Sequence, residues 1–293
     1  MVKGVQTKDT GFFKELSNHL NVYKFEGNLL SDPEVAFSFV PMNVSQLKKI
    51  LQHGDDEKKI EAELDEILAS NVMVDNKPCD PLELYIEDRF WILFNMRLKS
   101  RGETLDTTYK CPGCSQVIPL PIDLTELEIV EGKGSQLNTN VSLNQHVSLT
   151  LDNIRRKDIL ILDEWHEARE EQKENVPEEP EETEDDTTNE VEESQETDDN
   201  PVDNILSLYG LMIKKIKISP SVSPSEQPKA PIERSDLSLD EKVMFLNMLN
   251  EIDYEKMKEW AEENYFGVKV NIKIKCPVCK ETSEEVLNIG NFF

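Results

Sequence analysis

The chain has 293 residues, a formal net charge of −27 and a pI near 4.5, so it is long enough to bury a core of its own and too acidic for a surface built to neutralise nucleic-acid phosphates. No apolar run reaches the roughly 18 residues of a spanning helix, and the N-terminus has no signal-peptide h-region, so the chain reads as soluble, intracellular and without a membrane partner. Five cysteines, four of them in C-x-x-C pairs, suit thiolate ligation in a reducing compartment better than a disulfide framework.

In chain order, AFSFVPM reads as a strand, and Asn43 or Ser45 caps a helix ending near Gly54. A second helix covers EKKIEAELDEILASN. Asp80 and Pro81 form the N-cap and first turn of a third, with Leu84, Phe90, Trp91, Phe94 and Leu98 on its buried side until Gly102 stops it. ETLDTTYK and SQVIPLPIDL flank the first cysteine pair as strand-like arms, VSLNQHVSLTL is a further strand, and IRRKDILILDEWHEAREEQ a helix. The run from 171 to 200 holds 15 acidic residues against one lysine and no aromatic residue, the composition of a disordered tether. NILSLYGLMIKKIKI is apolar enough to dock on a folded body as a helix or a strand, and SPSVSPSEQPKAPIERSD is a breaker-rich linker that cannot form an interior strand. Ser238 and Glu241 fit a capping box, Asp253 caps the next helix, and VKVNIKIK alternates as a strand with one buried face. The resulting plan is an α+β domain over 1–170, an acidic linker over 171–200, a docking segment over 201–218, a Ser/Pro linker over 219–236, and C-terminal helices with a second knuckle over 237–293.

The words KCPGC and KCPVC set Cys111, Cys114, Cys276 and Cys279 on two tight turns, each between strands. Each turn offers two sulfurs, and a closed tetrahedral zinc site needs four, so the pairs predict one structural zinc ion per chain in a ribbon-like module whose halves are far apart in sequence. A long insertion between them is tolerable because closure cost grows only logarithmically with length. Two rivals stand beside this reading: a glutaredoxin-like dithiol, and a ribbon that has lost its metal or binds it between chains. SQVIPLPIDL and KETSEEVLNI are poor openings for the helix that a redox dithiol needs. Cys79 is a bystander, and His19, His53, His146 and His166 lie too far apart for a catalytic or metal motif. No catalytic residue and no small-molecule site is expected. Lys269, Lys273 and Lys275 form either a solvated strand face or a docking surface for an acidic segment, the 171–200 run included.

Two stretches carry a family likeness. IEDRFWILFNMRLKSRGETLDTTYKCPGC is a helix ending in R-x-x-x-x-G before a strand and a knuckle. ENYFGVKVNIKIKCPVC leads into a strand and closes on Asn291, Phe292 and Phe293. Together, over 35–130 and 236–293, the chain resembles the baseplate hub proteins of T4-like contractile-tailed phages. The resemblance implies a non-enzymatic hub subunit or hub-assembly factor, partnered by other hub or tail proteins, working in the host cytoplasm during assembly or in the virion tail baseplate. Phe292 and Phe293 are then candidate partner contacts, with closure of the ribbon's own core as the alternative. A zinc-ribbon adaptor for nucleic acid or a polymerase, reading through the three lysines, is the reading from another class, and the net charge counts against it.

Overall fold

The computed structural model of the chain describes residues 23–54, 56–134, 137, 139–174, 201–219 and 230–287. Seven α-helices and several antiparallel sheets lie among them, an α+β fold. Spatial contacts group the chain into two units, one within Met1–Leu137 and Tyr265–Phe293, the other Asn138–Asn264. Composition changes at 170 and 236, and spatial contacts divide the chain near 137 and 264.

The first unit opens with a meander of β1 (Phe25–Asn28) and β2 (Ala36–Phe39), where Pro41 limits further pairing. Asn43 then caps α1 (Val44–Gln52): its Oδ1 accepts from the Ser45 and Gln46 amides, and Gln46 Oε1 accepts from the Asn43 amide. α2 (Glu57–Asn71) runs into β3 (Val72–Val74), which pairs with β2 and turns into β4 (Lys77–Pro78). Asp75 and Asn76 make that turn with φ of 49° and 61°, the left-handed pair that a two-residue hairpin requires.

The third helix starts later than Asp80–Pro81 would place it. Asp80 accepts from the Leu82 amide with its side chain (3.1 Å) and from the Glu83 amide with its carbonyl (3.2 Å), closing a turn of its own. α3 (Ile86–Arg101) follows Tyr85, which makes no side-chain cap bond. Its inner face packs Ile92, Leu93, Phe94 and Met96 against Leu64, Ile67 and Leu68 of α2 and Phe37 of the sheet, all in one core. Two charges are buried with this face. Arg89 meets Asp65 and Glu61 of α2 at 2.8 Å each, so its ion is never left unpaired. Asp88 takes the Leu30 and Ser31 amides on one oxygen (2.8 and 3.0 Å) and the Ser31 hydroxyl on the other, fastening the β1–β2 connection to the first helical turn. At the far end Gly102, φ 89°, stops α3 as its position predicts. Arg97 donates to the Gly102 and Thr104 carbonyls beyond it, leading the chain into β5 (Thr104–Lys110). β6 (Val117–Asp123) completes a hairpin, and β7 (Ile129–Val130) closes this part of the chain.

The second unit begins with a hairpin where a single strand was expected. Asn144 Oδ1 accepts from the His146 and Val147 amides at 2.9 Å and folds VSLNQHVSLTL back on itself, giving β8 (Asn140–Ser142) and β9 (Val147–Leu151). α4 (Arg156–Glu174) extends into the first residues of the acidic run; residues 175–200, where disorder was expected, lie outside the described residues. The docking segment is helix and strand in succession, α5 (Pro201–Met212) and β10 (Ile213–Ile218). Within the Ser/Pro stretch, β11 (Ile232–Arg234) adds to the edge of the sheet β11-β10-β9-β8. Ser238 and Glu241 form the expected capping box on α6 (Leu239–Asn247). α7 (Glu251–Glu263) is capped by Asn250, whose Oδ1 accepts from the Asp253 amide, so Asp253 sits inside the first turn instead of before it. Both ends of this unit are tied to one place. The Leu151 amide donates to Thr139 O (2.7 Å), and Asn153 Nδ2 donates to Asn264 O (3.3 Å).

Back in the first unit, the expected continuous strand is split. β12 (Gly267–Val268) pairs with β7, and β13 (Asn271–Lys275) pairs with β14 (Thr282–Val286). The alternation itself holds: Val268 and Ile274 are buried and Val270 and Ile272 half-buried, while Lys269, Lys273 and Lys275 are exposed.

Two predictions follow from charges on the first turn of α3. Asp88→Ala leaves the buried Leu30 amide and the half-buried Ser31 amide without an acceptor, and urea unfolding should show a loss of about 2–4 kcal/mol. Beside it, burial lifts the Glu87 carboxyl from an ordinary 4.5 to about 7, and its Oε2 has no hydrogen-bond partner among the described residues. The folded chain thus holds this proton to higher pH than the unfolded chain. The stability it contributes is full below about 4.5 and is lost as pH rises through about 7. Glu87→Gln should therefore gain on wild type across that window, by on the order of 1–3 kcal/mol at the alkaline end; a stability difference that does not change with pH would refute the assignment.

Candidate metal centre

Both cysteine words fold into the same loop. In each, proline follows the first cysteine and fixes φ at the turn. The residue after the second cysteine is left-handed, Ser115 at φ 57° and Lys280 at φ 66°. That conformation sends the Ser115 amide to Cys111 O (2.8 Å) and the Lys280 amide to Cys276 O (3.0 Å), while the Cys111 and Cys276 amides close the hairpins on Gln116 O (3.0 Å) and Glu281 O (2.8 Å). Neither Ser nor Lys is favoured there, so the loop imposes the conformation twice.

The two loops face each other. Cys111 Sγ lies 3.5 Å from Cys279 Sγ and Cys114 Sγ 3.7 Å from Cys276 Sγ, and all four sulfurs fall within 4.8 Å of one another. Four thiolates bound tetrahedrally at about 2.3 Å would stand ~3.8 Å apart, so the donor set and its spacing fit a four-coordinate metal ion. Around them Tyr109, Ile274, Ile118, Leu120 and Ile272 form a small apolar cluster shared by both hairpins. Tyr109 Oη meets Ser283 Oγ at 2.5 Å across the junction. Gly113 leaves room for Glu281: a Cβ at 113 would fall 1.5 Å from Glu281 Oε2.

The thiols are not equivalent. Amides of Cys279 and Val278 donating to the Cys276 sulfur hold it down to about 6, against desolvation. The Gln116 and Glu281 amides draw Cys114 and Cys279 down as well, but desolvation and the crowding sulfurs push both up, Cys279 to about 12. Cys114 and Cys279 therefore resist ionising beside the neighbouring sulfurs unless a cation offsets the charge, which is the work a bound metal does.

The remaining candidate residues are elsewhere. Lys269 pairs with Glu128 (2.6 Å) and Lys273 with Glu284 (3.4 Å), both carboxylates of the same unit, and Lys275 lies opposite Thr282. Phe292, Phe293 and His19 lie outside the described residues. His53 is the C-cap of α1, His146 sits in the β8–β9 turn, and His166 packs its edge on Trp165. Cys79 is buried in the core, its thiol pushed up to about 12 by desolvation. Phe90, Trp91 and Phe94 stack along α3 as core rings. Tyr109, Ser283 and the Gly113–Glu281 fit carry no spacing signal and are visible only once the hairpins meet.

The sequence matches the T4 bacteriophage base plate protein family over residues 21–293. The chain belongs to that family. No curated protein and no solved structure matches it. The match spans both hairpins of this base plate protein and the unit inserted between them. No helix among its described residues is long and apolar enough to cross a membrane.

If the four cysteines of this base plate protein form one site, native mass spectrometry should find one metal ion per chain, removed by a chelator, and Cys111→Ser and Cys276→Ser should each abolish most of the occupancy. A full equivalent retained by either variant would exclude the shared centre.

Proposed function

We propose that this base plate protein is a non-enzymatic component of the tail-baseplate hub, either a hub subunit or a factor that assembles the hub, stabilised by one structural zinc ion on Cys111, Cys114, Cys276 and Cys279. Family membership over nearly the whole chain carries the reading, and the segments that resemble hub proteins supply α3 and both knuckles. Zinc suits the four-sulfur set because it needs no redox change and no fixed geometry beyond the tetrahedron. A strand follows each C-P-x-C turn, β6 after the first and β14 after the second; a dithiol activated by a helix N-terminus would need a helix in those places. The partners are other hub or tail proteins, met in the host cytoplasm during assembly, and Phe292 and Phe293 are proposed contacts with them.

Phage lacking the gene should fail to build contractile tails, and the intact gene supplied in trans should restore them. A deletion of Phe292 and Phe293 that leaves a folded, metal-loaded chain should fail to restore assembly. Normal tails in the absence of the whole gene would sink the hub reading.

A further inference from the structure

Solvent reaches the four cysteines unequally. Cys111 and Cys276 are 1% and 0% exposed, Cys114 is half-buried, and Cys279 is exposed. The loop tips differ in the same sense. Gly113 at the tip of the first loop lets the Glu281 carboxylate lie against it, next to Cys114. The matching position of the second loop is Val278, 61% exposed, and Pro277, Val278, Cys279 and Lys280 are all open to solvent. An oxidant in solution therefore meets the site first at Cys279.

The sulfur that faces Cys279 belongs to the other hairpin. Cys279 Sγ is 3.5 Å from Cys111 Sγ, and Cys114 Sγ is 3.7 Å from Cys276 Sγ, so in both pairs the first cysteine of one word faces the second cysteine of the other. Cys111 is too buried to be attacked from solvent, yet close enough to attack a modified Cys279. The facing pairs span 168 and 162 residues of chain, whereas a bond within either word closes a ring of only a few residues. A link across the hairpins therefore restrains the unfolded chain far more than one within a loop. Contacts that do not pass through the sulfurs, Tyr109 with Ser283 and Ile274 among Ile118 and Ile272, support the same junction.

We propose that Cys279 is an oxidation site, and that peroxide converts the metal clasp between the hairpins into a covalent one in which Cys111 is bonded to Cys279. The inference rests on the reading of the four cysteines as one metal centre, since a bound cation keeps Cys279 as the thiolate that reacts. The Cys279 sulfur attacks hydrogen peroxide: its S–O bond forms as the O–O bond breaks, hydroxide leaves, and the sulfur becomes a sulfenic acid. The Cys111 thiolate then displaces a second hydroxide from that sulfur, and the S–S bond forms. Two thiolates lose two electrons in all, one peroxide gains them, and two protons from the buffer turn both hydroxides into water. Only Cys114 and Cys276 then remain as ligands, too few to hold the metal ion in a closed site. A small thiol reverses the step by reducing the disulfide and being oxidised to its own. Such a clasp suits a chain made in a reducing compartment and later met by an oxidising one, because the hairpins stay joined in both.

The test uses the full chain loaded with zinc ion and treated with hydrogen peroxide at less than one equivalent. Metal release is read with a coloured chelator, and cross-links by mass spectrometry of unreduced digests. Metal should be released in step with the peroxide added, the first linked peptides should join Cys111 to Cys279, and dimedone present during the reaction should tag Cys279. With chelator present, the oxidised chain should melt at a higher temperature than the reduced one. Dithiothreitol with fresh zinc ion should restore full occupancy. A chain that never holds metal would overturn the four-cysteine centre and this proposal together. A loaded chain would overturn this proposal alone if its first link joined any other pair or two separate chains, if the tag fell on Cys114, or if the metal stayed bound under excess peroxide.

Discussion

The meeting of two hairpins that lie 162 to 168 residues apart along the chain, measured between facing cysteines, is the constraint on which the first unit rests. Four sulfurs within 4.8 Å mark the point of contact, but the dependence reaches further. Ile272 and Leu287, from β13 and the end of β14, pack against the same core that α2, α3 and the first sheet enclose. Phe266 and Val268 join Leu30 in a neighbouring cluster. The C-terminal residues therefore fill a core begun by the N-terminal ones, and the four cysteines lie where the apolar surfaces of the two hairpins meet.

An insertion between two such hairpins is tolerable only if it does not act as a long floppy loop. The second unit meets that condition through its own hydrogen bonds, because Thr139 at its beginning and Asn264 at its end are both tied to residues 151–153. Once folded it closes the chain much as a short connection would, and the entropy of a loop more than a hundred residues long never enters.

Local chemistry was readable where one residue decides the outcome. Asn43, Ser238 with Glu241, Gly102, and the alternation of Val268 to Lys275 all act where the sequence places them, because each side chain or missing side chain meets its own backbone within a few residues. Errors arose where two local signals compete. Asp80 closes a turn of its own, Asn250 captures the first turn of α7 ahead of Asp253, and Asn144 breaks a strand into a hairpin. In the candidate site the cysteines announced themselves by a repeated word. The Tyr109–Ser283 contact and the space left by Gly113 for Glu281 did not, since they depend on how two distant hairpins dock.

The order of the elements also has a temporal side. A ribosome delivers β5 and β6 first, then the whole inserted unit, and only afterwards β13 and β14. At ordinary synthesis rates the interval is roughly 10–30 s, during which Cys111 and Cys114 wait without their counterparts and the core lacks its closing residues. The residues of the inserted unit are all translated within that interval. Completion of the first unit's core is thus deferred until translation is nearly done, because Phe266, Val268, Ile272 and Leu287 are among the last residues to be made.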